Sequence, residues 1–421
     1  MVSMNKVVVT GLGFITSIGN DRKGVVDSLL NLRHGIELYE PFSDANIPIN
    51  LAATVKGFDT RSVDPEDWVY PDNYRVRRDV LRSLSPHGLY AYCAMKQAIQ
   101  SAGLDDREVS DEDTGIYTAS AGSPGQQYYH THRMHELGVQ RCSPMGIISS
   151  IAGTLNFNLV SAYQIKGSSC GFVSACAASG HALGCAFWEI MTGRQKRMFV
   201  VGAEDGNYDS ILPFACMRAL TPSSNPDDAS RPFDKKRDGF VGTGGAVVMV
   251  LESEESAITR GADIRAEFAG WGQASDGYNV AISHPEGNGL SRAMAQALKH
   301  ADMRSDEIDY VNAHAPSTTI GDLSEIKAMK RIFSNSRPEI SSTKALTGHG
   351  LSLSSVMEAG FSVLAMEEGF TPGSAHIEEL DEEASDLNII RQSIAKGPDV
   401  VMSNSSGFGG ANVSLVFKRH G

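Results

Sequence analysis

Short apolar runs that end in glycine turns alternate with helical segments along the whole chain, and the alternation runs through twice. Val7, Val8 and Val9, followed by Thr10-Gly11-Leu12-Gly13, read as a buried strand ending in a turn, and a helix follows over 25–32. Ser85-Pro86 opens the next helix as N-cap and first residue, and Gly103 closes it. A helix over 174–192 ends at Gly193, the run 198–201 returns as a buried strand, and a strand over 246–251 completes the first pass. The second pass reads as a strand over 264–271, a helix over 289–301, a strand over 310–313, a helix over 322–333, a strand over 339–343 and a helix over 352–368 closed by Gly369. Strands separated by helices in this way commit the chain to an α/β fold. The repeat is one of pattern, without residue identity, and divides the chain into halves 1–260 and 261–421. Thr347-Gly348-His349-Gly350 then occupies in the second half the place that Ser174-Ala175-Cys176 occupies in the first, a polar segment just before a long helix.

Composition narrows the class. With 421 residues, 41% of them hydrophobic, and 42 glycines, the chain can bury a large core and needs many tight turns. A formal net charge of −13 argues against a general nucleic-acid binder. No apolar stretch approaches the roughly 20 residues of a membrane span. The amino terminus lacks the apolar core of a secretory signal, and the six cysteines show no tight pairing pattern. A soluble protein of the reducing cytoplasm, with free thiols, is expected.

Four segments can carry chemistry. Ser174 reads as an N-cap that places Cys176 in the first helical turn, where unpaired N–H groups and the helix dipole favour a thiolate. Such sites lower a cysteine pKa from about 8.5 to roughly 3.5–7.5, although a cysteine among small residues also serves as a small buried hydrophobe. Asn312-Ala313-His314 ends an apolar strand, with Asp322 and Glu325 one turn apart on the helix that follows. Lys344 and His349 share one loop, and a lysine in so apolar a neighbourhood needs a carboxylate, for which Glu325 is the candidate. Finally, Asn404-Ser405-Ser406-Gly407-Phe408-Gly409-Gly410-Ala411-Asn412 lies between two apolar strands. It reads either as a hairpin turn or as a glycine loop whose N–H groups approach a reacting atom.

Other signals are weaker. Gly11-Leu12-Gly13 has no third glycine at nucleotide-loop spacing. His130, His132 and His135 fall in a predicted loop without partners at tetrahedral spacing, so no metal site is expected. Arg75, Arg77, Arg78 and Arg82 read as a solvated face.

In this order, over nearly the whole chain, these segments resemble the β-ketoacyl-ACP synthases of the thiolase superfamily. The likeness begins with Val-Val-Val-Thr-Gly-Leu-Gly at 7–13. It continues through Ala175-Cys176-Ala177, Ser230-Arg231-Pro232-Phe233-Asp234 and Arg237-Asp238-Gly239-Phe240, and ends with the Lys344-to-His349 loop and Gly407-Phe408-Gly409-Gly410. The carboxyl-terminal stretch, with Glu358-Ala359 and Ile377-Glu378-Glu379-Leu380-Asp381, is most similar to the class I elongating synthases of bacterial type II fatty acid synthesis.

The resemblance implies a thiolase fold, with duplicated βαβαβαββ halves in a five-layered αβαβα architecture. The first half would carry the nucleophile and the second the two histidines and the lysine. It implies that Cys176 takes an acyl group from an acyl carrier protein as a thioester. His314 and His349 would donate hydrogen bonds to the enolate formed when a malonyl thioester loses CO2. The N–H groups of Cys176 and Phe408 would hold the acyl oxyanion, and Lys344, tied to Glu325, would position His349 and favour its donor tautomer. Thr318, Phe214 and Ser406 would touch substrate, and Arg141 and Arg218 would dock the acidic carrier, whose phosphopantetheine arm brings the substrates. No metal or organic cofactor is called for. A homodimer is the implied assembly.

Some positions depart from the family pattern. Ala315-Pro316-Ser317-Thr318 stands for the usual Gly-Thr-Ser-Thr, Ser352-Leu353-Ser354-Ser355 for Gly-Ala-Ala-Gly, and Ser406 for phenylalanine. These leave open a discrete type II polyketide ketosynthase, such as an aryl polyene one, paired with a chain-length-factor-like partner. A degradative thiolase would need a second reactive cysteine, and the chain has none after Cys216. A chain-length subunit would lack the nucleophile.

Overall fold

A computed structural model describes residues 4–421. The first half contributes strands β1 (Val7–Ile15), β2 (Thr114–Ala119), β3 (Ser169–Phe172), β4 (Arg197–Glu204) and β5 (Gly245–Ser253). The second contributes β6 (Ala266–Ser275), β7 (Tyr310–Asn312), β8 (Glu339–Ser341), the short edge strand β9 (Asn388–Ile389), β10 (Val400–Gly407) and β11 (Ala411–Lys418). They lie in the order β9-β8-β7-β10-β11-β6-β1-β5-β4-β2-β3. Read outward from the centre, each half runs first, last, last but one, second, third, with β9 added at one edge. Within the sheet the halves join through β1 and β6, antiparallel, at Val8 opposite Glu267 and Val9 opposite Ala266.

Five helices complete the layers: α1 (Pro86–Ala102), α2 (Ala178–Met191), α3 (Asn288–His300), α4 (Thr319–Ile332) and α5 (Ser354–Glu368). Apolar side chains sort into three large cores and two smaller clusters. Leu89, Met95 and Ala98 of α1 pack on Val248 and Val250 of β5. Leu290 and Met294 of α3 with Ile326 and Met329 of α4 pack on Val311, Met402 and Val416. Between them, Leu183 and Phe187 of α2 and Met357, Phe361 and Leu364 of α5 fill the space between strands of both halves. Successive residues of β5 belong to different cores: Val247, Met249 and Leu251 face the middle, Val248 and Val250 the outside. Strands covered on both faces read as continuous apolar runs, which is why 246–251 shows no alternation. The order α, β, α, β, α is the five-layered thiolase fold.

Local chemistry explains the boundaries. Ser85 Oγ accepts from Gly88 N at 3.3 Å, and Gly103 ends α1 with φ +65°. The first predicted helix starts earlier, at Arg22–Leu30, because Asp21 caps it through Gly24 N at 2.7 Å. Gly184 of α2 faces Trp271, and a Cβ there would lie 2.3 Å from the indole, so this close helix-to-strand contact requires glycine. The segment of His130, His132 and His135 is a helix (Pro124–Leu137) where a loop was expected, and no group able to hold a metal occurs among the described residues. Arg77 pairs with Asp79, and Arg78 and Arg82 pair with Glu66, on the surface. Among the described residues no helix is long and apolar enough to cross a membrane.

Candidate active site

The amino-terminal ends of α2 and α5, one from each half, converge. Val356 N of α5 donates to Ser179 Oγ of α2 at 3.1 Å. Cys176 precedes the first of these helices and His349 the second, and His349 Nε2 lies 3.1 Å from Cys176 Sγ. The His314 and His349 rings meet edge to face, with centroids 5.3 Å apart. Three residues far apart in sequence thus share one point.

The thiol is not where the helix rule puts it. Helix α2 begins at Ala178, Ala175 takes φ +50°, and Cys176 sits on the tight turn ahead of the helix. Ser174 caps nothing; its hydroxyl pairs with His181 Nδ1 at 2.8 Å. Cys176 is 8% exposed. Burial outweighs the nearby charge of Lys344 and pushes the thiol up to about 12, the reverse of the expected depression. Cys176 at rest is therefore a neutral thiol.

Both histidines are also buried, and burial, reinforced by the positive charge of Lys344, holds them well below the usual imidazole range. Neutral imidazoles result, each with one nitrogen able to donate. His349 Nδ1 pairs with Ser354 Oγ at 3.0 Å, whereas His314 Nδ1 has no hydrogen-bond partner among the described residues. Gly348, at φ +73°, turns the chain so that His349 N can donate to Val241 O at 2.7 Å.

The expected Lys344–Glu325 pair does not form. Lys344 is ion-paired with Glu358 of α5, both side chains fully buried. Glu325 instead accepts from His314 N at 3.0 Å and Ala315 N at 2.7 Å, with Asn404 Nδ2 at 3.2 Å, and so pins the backbone of the first histidine. Glu358 was legible as a partner: it is the one charge in α5 before Glu367, and a lone charge in an apolar helix must be paired. Burial raises its carboxyl to about 7, with Lys344 pulling the other way.

The segment 230–239, which carries part of the family likeness, also holds the site together. Arg231 N donates to Ser317 Oγ at 3.0 Å, Phe233 N to Asp322 Oδ2 at 3.1 Å and Gly239 N to Ser317 O at 3.0 Å. It brackets the His314-to-Thr318 loop, where Ser317 is held at φ +78°.

The glycine segment is both a hairpin and part of the site. Gly407 pairs with Ala411 across β10 and β11, and the turn Phe408–Gly410 joins them. Gly407 has ordinary extended geometry (φ −135°), so conformation does not demand glycine there. Space does: a Cβ would lie 2.9 Å from Cys176 N and 3.3 Å from Ala177 N. Phe408, 39% exposed, stands beside Phe214 with ring centroids 6.0 Å apart. Phe240 continues the line of rings inward to His349 at 5.1 Å.

These groups line a cavity of about 370 Å³ that includes Cys176, His314, His349, Phe214, Thr318, Ser406, Phe408 and Arg218. Lys344 and Glu358 lie behind it. Ser406 donates to Asn412 Oδ1 at 2.7 Å across the hairpin. Ser355 bridges Cys176 O at 3.3 Å and Ser405 Oγ at 2.8 Å. Arg218 is exposed at the cavity, while Arg141 lies on the separate exposed turn Val139–Arg141.

Comparisons agree with this geometry. The family model described as Beta-ketoacyl synthase, N-terminal domain, matches residues 4–257, and that of the C-terminal domain matches 265–378. The chain is similar to 3-oxoacyl-[acyl-carrier-protein] synthase 1 of Haemophilus influenzae, at 37% identity over 99% of this chain and 100% of the relative. It superimposes on a beta-ketoacyl synthase from Burkholderia phymatum with TM-score 0.91 and 31% identity, covering 99% of this chain and 100% of the other. A type II PKS ketosynthase, solved with its acyl-carrier protein and bound to the hexaketide, is similar with TM-score 0.88 and 25% identity, over 99% and 100%. A thiol facing two neutral imidazoles, on a thiolase fold matched along both halves, makes this chain a member of the β-ketoacyl synthase family of condensing acyltransferases.

Proposed function

We propose that the protein is a β-ketoacyl-ACP synthase that elongates fatty acyl chains by decarboxylative condensation with malonyl-ACP. The observation that carries this reading is the 3.1 Å approach of His349 Nε2 to Cys176 Sγ, with the His314 ring alongside, in one cavity. Cys176 Sγ attacks the acyl thioester and displaces the phosphopantetheine thiol, to which the cysteine proton passes in net terms. The oxyanion is held by the N–H groups of Cys176 and Phe408, with Gly407 leaving the first of them uncovered. Malonyl-ACP then enters, CO2 departs, and the electron pair it leaves collects on the thioester oxygen as an enolate. Hydrogen bonds from His314 and His349 stabilise that charge. The carbanion attacks the acyl-Cys176 carbonyl, the C–S bond breaks, and the thiolate takes up a proton, which its high pKa favours. The chemistry uses no metal or organic cofactor.

We divide the chain near residue 260 into a nucleophile half and a histidine half. The carrier protein docks at the cavity mouth through Arg218, with Arg141 as a second contact. We take the protein to be cytoplasmic and a homodimer, and the dimer is favoured by the edge strand β3, largely exposed and followed by exposed Val173. A second reading, a discrete polyketide ketosynthase with a chain-length-factor-like partner, draws on one observation: Ser355, Ser405 and Ser406 put hydroxyls around the nucleophile. Mass spectrometry after incubation with acyl-ACP should find the acyl group on the Cys176 peptide. Protein left unlabelled, or labelled elsewhere, overturns the reading. Saturated, unsaturated and aryl polyene acyl carriers, offered with and without candidate partners, separate the two pathways.

A further inference from the structure

Ser354 stands where the family resemblance leads one to expect alanine, in the first turn of α5, and is completely buried. The one hydrogen-bond partner recorded for its hydroxyl among the described residues is His349 Nδ1, at 3.0 Å. A neutral imidazole carries its hydrogen on one nitrogen. Were it on Nδ1, that nitrogen would donate into Ser354 Oγ, and the hydroxyl hydrogen would be left buried without an acceptor. With the hydroxyl donating to Nδ1, both groups are satisfied and the hydrogen of the ring lies on Nε2, the nitrogen facing Cys176 Sγ. Lys344, engaged by Glu358, makes no such contact with the ring.

We propose that Ser354 is a positioning residue that holds His349 in the Nε2–H tautomer, the donor form aimed at the nucleophile and at the enolate. The proposal rests on the condensing function proposed above and adds to it a residue specific to this chain. His314, whose Nδ1 has no hydrogen-bond partner among the described residues, shows no counterpart of this device there.

The test compares wild type with Ser354→Ala, a smaller side chain with good helix propensity. In protein labelled with ¹⁵N at histidine, the His349 signals are identified by their loss in His349→Ala. Wild type should show the Nε2–H pattern, and Ser354→Ala a mixture of tautomers. Ser355→Ala, which removes the neighbouring hydroxyl, should leave the His349 pattern unchanged. Malonyl-ACP decarboxylation by Ser354→Ala should fall in kcat by about tenfold, the worth of one ordinary hydrogen bond, with KM unchanged. Acyl loading of Cys176 should fall less. A wild-type Nδ1–H pattern, or a Ser354→Ala protein with the wild-type pattern and wild-type kcat, overturns the tautomer proposal. A wild type that neither loads Cys176 nor decarboxylates malonyl-ACP overturns the functional reading instead, whatever the tautomer.

Discussion

The two halves bring the same scaffold to the site and use it oppositely. In each, a tight turn precedes a central helix, and the special residue sits on the turn: Cys176 before α2, His349 before α5. The first helix opens with small, uncharged residues, Ala178, Ser179, Gly180 and Ala182, and delivers a neutral thiol. The second carries Glu358 in an ion pair with Lys344, while Glu325 grips the backbone of His314. The helix that follows Cys176 thus carries no carboxylate before Glu189, whereas the one that follows His349 buries its carboxylate against a lysine. The common geometry therefore supplies the meeting point, and the side chains behind it supply the division of labour.

The sharpest way to break this comparison is to disable one half at a time. Cys176→Ala should lose condensation by at least about a thousandfold while the fold persists and malonyl-ACP decarboxylation remains. His349→Ala should load acyl groups on Cys176 but decarboxylate about 100- to 1000-fold more slowly. Equal loss of both partial reactions in either variant, followed by carrier-protein assays, would show that the halves do not divide the work.

The carboxylates of the second half offer the next test. Glu358→Ala strands Lys344 as an unpaired buried charge and should cost about 3–5 kcal/mol in urea unfolding. Glu325→Gln keeps an acceptor for one of the two backbone N–H groups and should cost about 1–3 kcal/mol. A reversed order would mean that Glu325, not Glu358, bears the lysine.

Gly407→Ala tests the first half's oxyanion site. Its backbone accepts alanine, but the added Cβ crowds Cys176 N, so acyl loading should slow by about a hundredfold with little change in melting temperature. The remaining tests concern pH. Burial places the Cys176 thiol near 12, so the thiolate fraction grows about tenfold per pH unit throughout the neutral range, and alkylation by iodoacetamide should climb through pH 10 without a plateau. The histidines, held well below the usual range, are neutral already, so decarboxylation by Cys176→Ala should not fall between pH 8 and about 6.5. A thiol plateau below pH 9, or an acid loss beginning above pH 7, would contradict the burial argument.

Much of the scaffold was legible in residue order. Apolar runs such as 246–251 gave strands because both faces are covered, and Ser85 with Gly103 bounded a helix because capping is local. The order of Cys176, His314, His349 and the Phe408 loop carried the family. Two inferences about particular contacts failed. A serine two residues before Cys176 looked like a helix cap, yet Ala175 at φ +50° ends the strand in a turn and the helix starts later. Glu325 looked like the partner of Lys344 because it stood near His314 in the chain, but the lysine reaches into α5.

The amino-acid sequence alone determined which groups this protein owns: a thiol, two imidazoles, a lysine, glycine loops, and the period that makes two α/β halves. Periodicity and caps are properties of neighbours along the chain, so they can be read there. Only the tertiary structure decided the burial of the thiol, the lysine's partner and the contact of Ser354 with His349 Nδ1. Those depend on burial and on contacts far apart in the chain, such as the 173 positions from Cys176 to His349, and such contacts leave no local trace.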